Sequence, residues 1–253
     1  IRTAIAANPE IGRGLPTLNP LVFECNDGHL NDIQRMAVEP AHYRDAVGAA
    51  GTTVAEGSVG AGRGMSSFGL KAGIGTASRR IRTRALGRFT VGTLVLANFG
   101  KPSQIRVCGK PLAPYLRTAL EDEAAGAAPP EKGSIIMIVA TDAPLDARQL
   151  RRVALRTGAG LARTGSVFGH GSGDIALAFT TAYTVPHDPA RPMPKPALLH
   201  DAELDPLFEA AADGIEPAII HAIWRAETVT GRAGHMRRAL TDLLPSWADI
   251  LGA

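Results

Sequence analysis

The chain has 253 residues, a length that corresponds to one large domain or two small ones. Hydrophobic residues make up 45% and charged residues 20%, so the composition is that of a globular protein and excludes disorder throughout. The formal net charge is only +3 and aromatic residues are 5%, a balance that does not favour a nucleic-acid-binding protein. No apolar run approaches the ~18 residues of a transmembrane helix. Cys25 and Cys108 form neither a disulfide framework nor a zinc set.

The chain starts with Ile1 rather than Met, so we expect it to begin inside a longer product or after processing. The N-terminal part predicts a strand, two helices and a second strand, at residues 21–25, 30–38, 41–50 and 52–56. A glycine-rich loop at 57–64 precedes residues 66–83, whose alternation of small and apolar residues is typical of closely packed strands. Residues 89–97 form an apolar run that predicts a buried strand ending at Asn98.

Residues 100–133 are polar and carry the acidic run 121–123, so they predict a linker. Residues 134–140 are strongly β in character, and Asp146 is placed to cap the helix that follows. That helix has an apolar stripe formed by Leu150, Val153, Ala154 and Leu161. A strand, a Pro-rich loop and a long helix are predicted after it, at residues 174–183, 184–204 and 205–226. Buried strands covered by amphipathic helices predict a layered α/β or α+β sandwich.

The common nucleotide, zinc and hydrolase motifs do not occur in this sequence. The segment 60–64 reads G-x-G-x-G, which lacks the dinucleotide-binding spacing, and we interpret it as close backbone packing or an anion nest. The seven histidines show no zinc-site spacing, and only His170 lies in a dense polar loop, where we interpret it as a loop histidine. There is no G-x-S-x-G motif to anchor an α/β-hydrolase triad.

The junction Gly133–Ser134 is the unusual feature of the sequence, because a polar segment ends in glycine and a hydroxyl residue opens a buried strand. If the peptide bond before Ser134 is cut, this serine becomes an N-terminal nucleophile that carries both a hydroxyl and a free α-amine. A glycine suits the position before it, because a crowded scissile turn leaves no room for a side chain. A serine that simply starts a strand remains the alternative interpretation.

Five stretches of the sequence, in order, resemble one family over about residues 20 to 235. They are ECNDGHLND (24–32), GAGRGMSSFGLKAGIGTASR (60–79), FTVGTLVLANFG (89–100), GSIIMIVATDAPL (133–145) and LARTGSVFGHGSGDIALAF (161–179). The family is that of the self-processing serine aminopeptidases, of the L-aminopeptidase/D-alanyl-esterase-amidase and β-peptidyl aminopeptidase type. The resemblance implies a precursor that cuts itself before a serine to give an α and a β polypeptide.

The resemblance also implies an α+β fold, a four-layer αββα sandwich similar to N-terminal-nucleophile (Ntn) hydrolases but with different connectivity. Residues 1–133 and 134–253 would be the α and β polypeptides of one domain. The implied enzyme releases N-terminal residues from small peptides, amides or esters through an acyl-enzyme, with no metal or organic cofactor. We expect a homo-oligomer of four or more copies that binds neither nucleic acid nor membrane. We expect a cytoplasmic location, with a periplasmic or secreted one left open because the true N-terminus is not seen.

Residue by residue, Ser134 matches the nucleophile of the family and Asn98 the asparagine of the oxyanion hole. Ser172 and Asp174 match the serine and the acidic residue that line the nucleophile. The residue types suit these roles, because an asparagine amide can donate to a developing oxyanion and a polarised serine can hold a proton. The Ser134 α-amine is the other candidate base.

Two features depart from the family pattern. Asn26 stands where relatives carry a tyrosine that helps to bind the substrate or the oxyanion, so we assign Asn26 to substrate binding. Relatives also begin well upstream of Ile1, so that segment is either absent from this sequence or lost from the protein. Two alternatives therefore remain, an inactive relative that serves in binding or assembly and an acyl transferase of the ornithine acetyltransferase type, whose nucleophile is threonine.

Overall fold

The computed structural model describes residues 1–116, 133–246 and 250. Its strands are β1 (Ser66–Ser67), β2 (Leu70–Lys71), β3 (Ile74–Thr83), β4 (Gly87–Asn98), β5 (Arg106–Val107), β6 (Lys110–Pro111), β7 (Ser134–Thr141), β8 (Gly173–Thr180), β9 (Val229–Thr230) and β10 (Met236–Arg237). Its α-helices are α1 (Arg2–Ala6), α2 (Pro40–Gly48), α3 (Ala147–Arg163), α4 (Asp205–Trp224) and α5 (Leu240–Leu243).

One four-stranded sheet organises the described residues, with the strand order β3-β4-β7-β8. The pairs β3–β4 and β4–β7 are antiparallel, whereas β7 and β8 are parallel. A parallel pair needs a crossover connection, and helix α3 lies in this one. The remaining strands are each two residues long and pair antiparallel as β1–β2, β5–β6 and β9–β10.

The long helices α3 and α4 cover one face of this sheet. Asp146 caps the N-terminus of helix α3, because its carboxylate accepts a hydrogen bond of 2.7 Å from Gln149 N and so satisfies a free N–H of the first turn. The apolar cluster between helices and sheet includes the fully buried Val139, Val153 and Leu207. Helix α4 lies so close to β3 that a Cβ at Gly75 would stand 1.9 Å from Ala218 O, so only glycine fits there.

The opposite face of the sheet carries a smaller apolar cluster, in which Leu96 and Ile136 meet Met65. The described residues thus form a four-stranded sheet covered on one face by helices, together with three two-stranded sheets. The expectation of a mixed fold of sheet and helices is confirmed. None of the described helices is long and apolar enough to cross a membrane.

Most predicted elements occur near their expected positions, including β3, β4, β7, β8 and helices α2, α3 and α4. The strands expected at 21–25 and 52–56 are wrong, because no strand pairs with either segment in the described part of the chain, and Leu21 and Val22 are exposed. The helix expected at 30–38 is reduced to the short 3₁₀ turn Ile33–Arg35.

The linker expected at 100–133 is wrong for its described part, residues 100–116. This segment forms the β5–β6 hairpin and buries Ile105, Leu112 and Leu116 in the main core. The acidic run 121–123 lies outside the described residues. A buried segment contributes to the hydrophobic stability of the fold, whereas a linker would not.

Candidate active site

The β4–β7 register brings Ser134 and Asn98 together. Asn98 is the last residue of β4 and Ser134 the first of β7, and the two are directly opposite each other in the antiparallel ladder. Side chains of directly opposed residues leave the sheet on the same face, with Cβ atoms ~5 Å apart. This is the face opposite to helices α3 and α4, where Leu96 and Ile136 also lie. Asn98 is buried and Ser134 is half-buried.

The amide of Asn98 is held by two backbone groups. Its Oδ1 accepts a hydrogen bond of 2.9 Å from Ser66 N, and its Nδ2 donates one of 2.8 Å to Asn26 O. One partner is a donor and the other an acceptor, so together they fix which end of the amide is nitrogen. An amide NH₂ has two hydrogens, so the second N–H of Nδ2 is free to donate to a substrate.

The hairpin β1–β2 supplies the donor to Asn98. Its two-residue turn, Phe68-Gly69, has positive φ at both positions (55° and 81°), which is the type I′ geometry that joins tightly paired strands. Positive φ is unfavourable for phenylalanine, but Phe68 is fully buried, its ring packs edge-on against Phe99 and its N–H donates to Phe99 O. This packing holds Ser66 N against the Asn98 side chain.

Gly133, directly before Ser134, lies in a crowded position. A Cβ at this residue would stand 2.9 Å from Phe99 Cα and 3.2 Å from Phe99 Cβ, closer than real Cβ contacts normally come. Its carbonyl oxygen accepts a hydrogen bond of 2.9 Å from Gly173 N, at the start of β8. The crowding expected from the sequence is confirmed, and the carbonyl that self-cleavage would attack is held by a backbone donor.

Ser172 and Asp174 are joined to each other at the start of β8 by a hydrogen bond of 2.6 Å from Ser172 Oγ to Asp174 Oδ1. The residue opposite Ser134 in the parallel ladder is Gly173, and a Cβ there would stand 3.3 Å from Ser134 Oγ. Ser172, just before the first residue of β8, and Asp174, its second residue, thus flank the glycine that lies opposite Ser134. The Ser172–Asp174 pair therefore forms, while its role toward Ser134 stays a prediction.

Asn26 contacts the site through its backbone rather than its side chain. Its carbonyl accepts the hydrogen bond from Asn98, while its side-chain Oδ1 accepts from Gly28 N at 2.8 Å in a local turn. The side chain is exposed. The assignment of Asn26 to substrate binding stays a prediction.

Two residues beside the site were not singled out by sequence reasoning, Ser66 and Lys71. Ser66 Oγ is buried and has no hydrogen-bond partner among the described residues. Lys71 is fully buried in the hairpin and pairs with Ser66 in the β1–β2 register. The available signal was a single charge in an otherwise apolar stretch, residues 68–72.

The segment 60–64 forms a 3₁₀ turn rather than an anion nest. A Cβ at Gly62 would stand 2.5 Å from Gly57 O, so the expected close backbone packing is confirmed. Its Gly62 carbonyl accepts a hydrogen bond of 2.8 Å from Lys71 Nζ, so the turn presents an acceptor to a cation.

Cys25 lies in the small apolar cluster beside the site and donates weakly to Leu96 O at 3.8 Å. Burial, reinforced by the charge of Glu24, raises the pKa of the Cys25 thiol to about 12. A thiol held protonated in this way is a poor nucleophile. No group of three or more His, Cys, Asp or Glu side chains within the described ranges is placed to hold a metal ion.

The fold is shared with solved structures of other proteins. The L-aminopeptidase D-Ala-esterase/amidase of Ochrobactrum anthropi, described as a prototype for the serine aminopeptidases and a new variant of the Ntn hydrolase fold, aligns with a TM-score of 0.79 at 33% identity. The alignment covers 93% of this chain and 65% of that one. The PH0078 protein of Pyrococcus horikoshii OT3 aligns with a TM-score of 0.87 at 42% identity, over 100% of this chain and 68% of the other. The chain thus has the fold of the Ntn-type serine aminopeptidases.

The sequence comparisons identify the family. The family described as Peptidase family S58 matches residues 1–237, and the chain belongs to it. The β-peptidyl aminopeptidase BapA of Sphingosinicella microcystinivorans is 39% identical over 226 residues, which are 85% of this chain and 57% of that protein. The chain spans little more than half the length of this curated relative. The resemblance stated from the sequence motifs is confirmed.

Proposed function

We propose that the protein is a self-cleaving serine aminopeptidase or amidase that releases N-terminal residues from small peptides, amides or esters. The observation that carries this proposal is the pairing of Ser134 with Asn98, a hydroxyl at the start of one strand opposite an oriented amide donor at the end of the next. Membership of peptidase family S58 and the names of the relatives support the same reaction class.

In the proposed processing step, Ser134 Oγ attacks the carbonyl carbon of Gly133. A carbon–oxygen bond forms, the Gly133–Ser134 carbon–nitrogen bond breaks, and the proton of the hydroxyl ends on the departing nitrogen. Water then hydrolyses the ester, which leaves a carboxylate on Gly133 and a free α-amine on Ser134. The hydrogen bond from Gly173 N to Gly133 O supports this step, because it places a donor where negative charge develops. The cut would end an α polypeptide at Gly133 and begin a β polypeptide at Ser134.

In the proposed turnover, Ser134 Oγ attacks the carbonyl of the substrate and releases the amine or alcohol. The second Nδ2 hydrogen of Asn98 donates to the oxyanion, and the proton moves through the Ser134 α-amine or the Ser172–Asp174 pair. Water then hydrolyses the acyl-enzyme and regenerates the hydroxyl. Every protein group in these reaction steps is a side chain or terminus of the chain itself, so the proposed reaction needs no metal or organic cofactor. The expected homo-oligomer of four or more copies and the cytoplasmic location belong to the same proposal.

The test is turnover of alanyl, leucyl and β-alanyl p-nitroanilides by purified, fully processed protein. Asn98→Ala should lower kcat by about two orders of magnitude with a smaller effect on KM, because the donor acts mainly in the transition state. Asn8→Ala is the control, since Asn8 is an exposed asparagine just after helix α1 whose side chain donates to Ala4 O. An unchanged kcat in Asn98→Ala contradicts the oxyanion role. No turnover of any substrate by processed protein would favour the inactive binding relative instead.

A further inference from the structure

Lys71 is a fully buried cation beside the active site, and the mechanism above does not use it. None of the salt bridges formed within residues 1–116 and 133–246 includes Lys71. A buried charge is costly unless other groups compensate it. Its surroundings therefore need an explanation.

Three backbone carbonyls surround the Lys71 ammonium. Nζ donates to Gly62 O at 2.8 Å, to Met65 O at 2.9 Å and to Ala72 O. Three acceptors match the three N–H groups of an ammonium, whereas a neutral amine has only two. Burial and the nearby Arg63 lower the pKa of Lys71 to about 7, so the charged form is present at and below neutral pH.

One of these carbonyls belongs to the peptide unit that holds Asn98. The carbonyl of Met65 accepts from Lys71 Nζ, and the N–H of the same peptide unit, Ser66 N, donates to Asn98 Oδ1 at 2.9 Å. A hydrogen bond to a peptide carbonyl draws charge from the N–H and makes it a better donor. The same effect then passes through the Asn98 amide, whose Nδ2 lies at the other end.

We propose that Lys71 is a positioning residue of the oxyanion site, whose ammonium polarises the Met65–Ser66 peptide and thereby orients and strengthens the Asn98 Nδ2 donor. The inference rests on the proposed function, because it gives Lys71 a role only if Asn98 serves as the donor. Lys71 itself does not touch the substrate. Its charge is carried to the reacting oxygen by two amides in series, the peptide 65–66 and the Asn98 side chain.

A structural role alone would make different predictions. If Lys71 only ties the turn at 60–64 to the hairpin, its removal lowers stability and activity through misfolding, whatever residue stands at position 98. If Lys71 acts through Asn98, its effect on kcat disappears once Asn98 is removed. A double-mutant cycle separates the two cases, because residues that act through one another are not additive.

The experiment compares wild type, Lys71→Met, Asn98→Ala and the double variant with alanyl p-nitroanilide, with rates expressed per processed chain. Lys71→Met should lower kcat on the order of tenfold with KM within about twofold. In the Asn98→Ala background the same substitution should change kcat by less than about twofold. Lys101→Met serves as the control, because Lys101 is exposed outside the site.

The outcomes separate the two proposals. An equal factor for Lys71→Met in both backgrounds, or no effect in either, overturns the role of Lys71 while Asn98 keeps its own. An Asn98→Ala variant with unchanged kcat overturns the oxyanion role in the proposed function.

A second measurement uses unmutated protein, in case Lys71→Met does not fold. Met65–Ser66 is the sole Met–Ser pair in the sequence, so carbonyl-¹³C methionine with ¹⁵N serine gives one NMR cross-peak for that peptide. Arg63 lies near the Lys71 ammonium, the backbone N–H of Lys71 donates to Arg238 O, and Asp27 lies against Gly64 in the adjoining turn 60–64. If the ammonium polarises this peptide, the cross-peak should shift with pH at the same midpoint as the signal of Lys71 Cε, which is followed in ¹³C-lysine protein. A cross-peak that stays still while Lys71 titrates contradicts the proposal.

Discussion

Gly133→Ala tests whether the crowded turn before Ser134 matters for processing. The added Cβ would stand 2.9 Å from Phe99 Cα, 3.2 Å from Phe99 Cβ and 3.5 Å from Asn98 O. The closest of these atoms is backbone, so rotation of a flexible side chain cannot relieve the contact. The end of β4 or the Gly133 peptide must shift, and that peptide contains the carbonyl that Ser134 attacks in the proposed processing step.

The size of the effect follows from the overlap. Adding a methyl group to a tightly packed position costs about 1–3 kcal/mol. A shift of the Gly133 carbonyl also weakens its hydrogen bond of 2.9 Å from Gly173 N. About 1.4 kcal/mol corresponds to a factor of ten in rate, so we expect processing to slow about tenfold or more.

Two assays measure these effects separately. The time course of cleavage, followed by intact mass after synthesis, gives the processing rate of Gly133→Ala. Urea unfolding in a Ser134→Ala background gives the loss of stability, because both proteins then remain single chains. Gly169→Ala is the matched control, since a Cβ at Gly169 meets nothing within 4 Å. Wild-type processing and stability in Gly133→Ala would refute the reasoning from crowding.

Three further predictions concern other groups around the site. Asn26→Tyr should narrow the site and shift the alanyl-to-leucyl ratio of kcat/KM about tenfold toward alanine, whereas an identical ratio would mean that position 26 does not line it. Thiol labelling of native protein should modify the exposed Cys108 at least about 100-fold faster than Cys25. The variants Cys25→Ser and Cys108→Ser each leave one cysteine to be labelled, and equal labelling rates in the two would contradict a protonated Cys25 thiol. The native pKa of Lys71, about 7, lies below the unfolded value of 10.5, so the unfolded chain binds more protons between them and stability rises with pH there. Urea unfolding in the Ser134→Ala background gives the free energy of unfolding with Lys71 and with Lys71→Met. The difference between the two should rise with pH, and a difference that stays flat or falls would contradict the lowered pKa of Lys71.

Sequence patterns predicted those helices and strands whose own residues favour the structure that they adopt in the fold. Strands β4 and β7 are apolar runs rich in β-branched residues, and Asp146 precedes helix α3 with a side chain suited to capping it. The segment 100–116 was misread as a linker because Ile105 and Leu112 are isolated among polar residues, and only the tertiary fold buries them. Residues 21–25 have strand-like composition, but a strand also requires a partner, which composition does not reveal.

The candidate site was partly predictable for a similar reason. Ser134 and Asn98 stand at recognisable positions, the start and the end of apolar runs, so their candidate roles could be predicted from the sequence. The sequence does not contain the register that makes them neighbours, nor the turn that brings Ser66 N to Asn98. Lys71 reaches Asn98 only through hydrogen bonds of the folded backbone, so no spacing rule could have found it.

Ser134 is proposed as the nucleophile that cuts the chain before itself. Intact-mass analysis of the purified protein beside its Ser134→Ala variant tests it most directly, with Ser103→Ala as the control because Ser103 is an exposed serine outside the site. Wild type and control should separate under denaturing conditions into two polypeptides, one ending at Gly133 and the other beginning at Ser134, while Ser134→Ala remains a single chain. Cleavage of Ser134→Ala at the same bond, or a wild-type chain that stays whole, would contradict the claim.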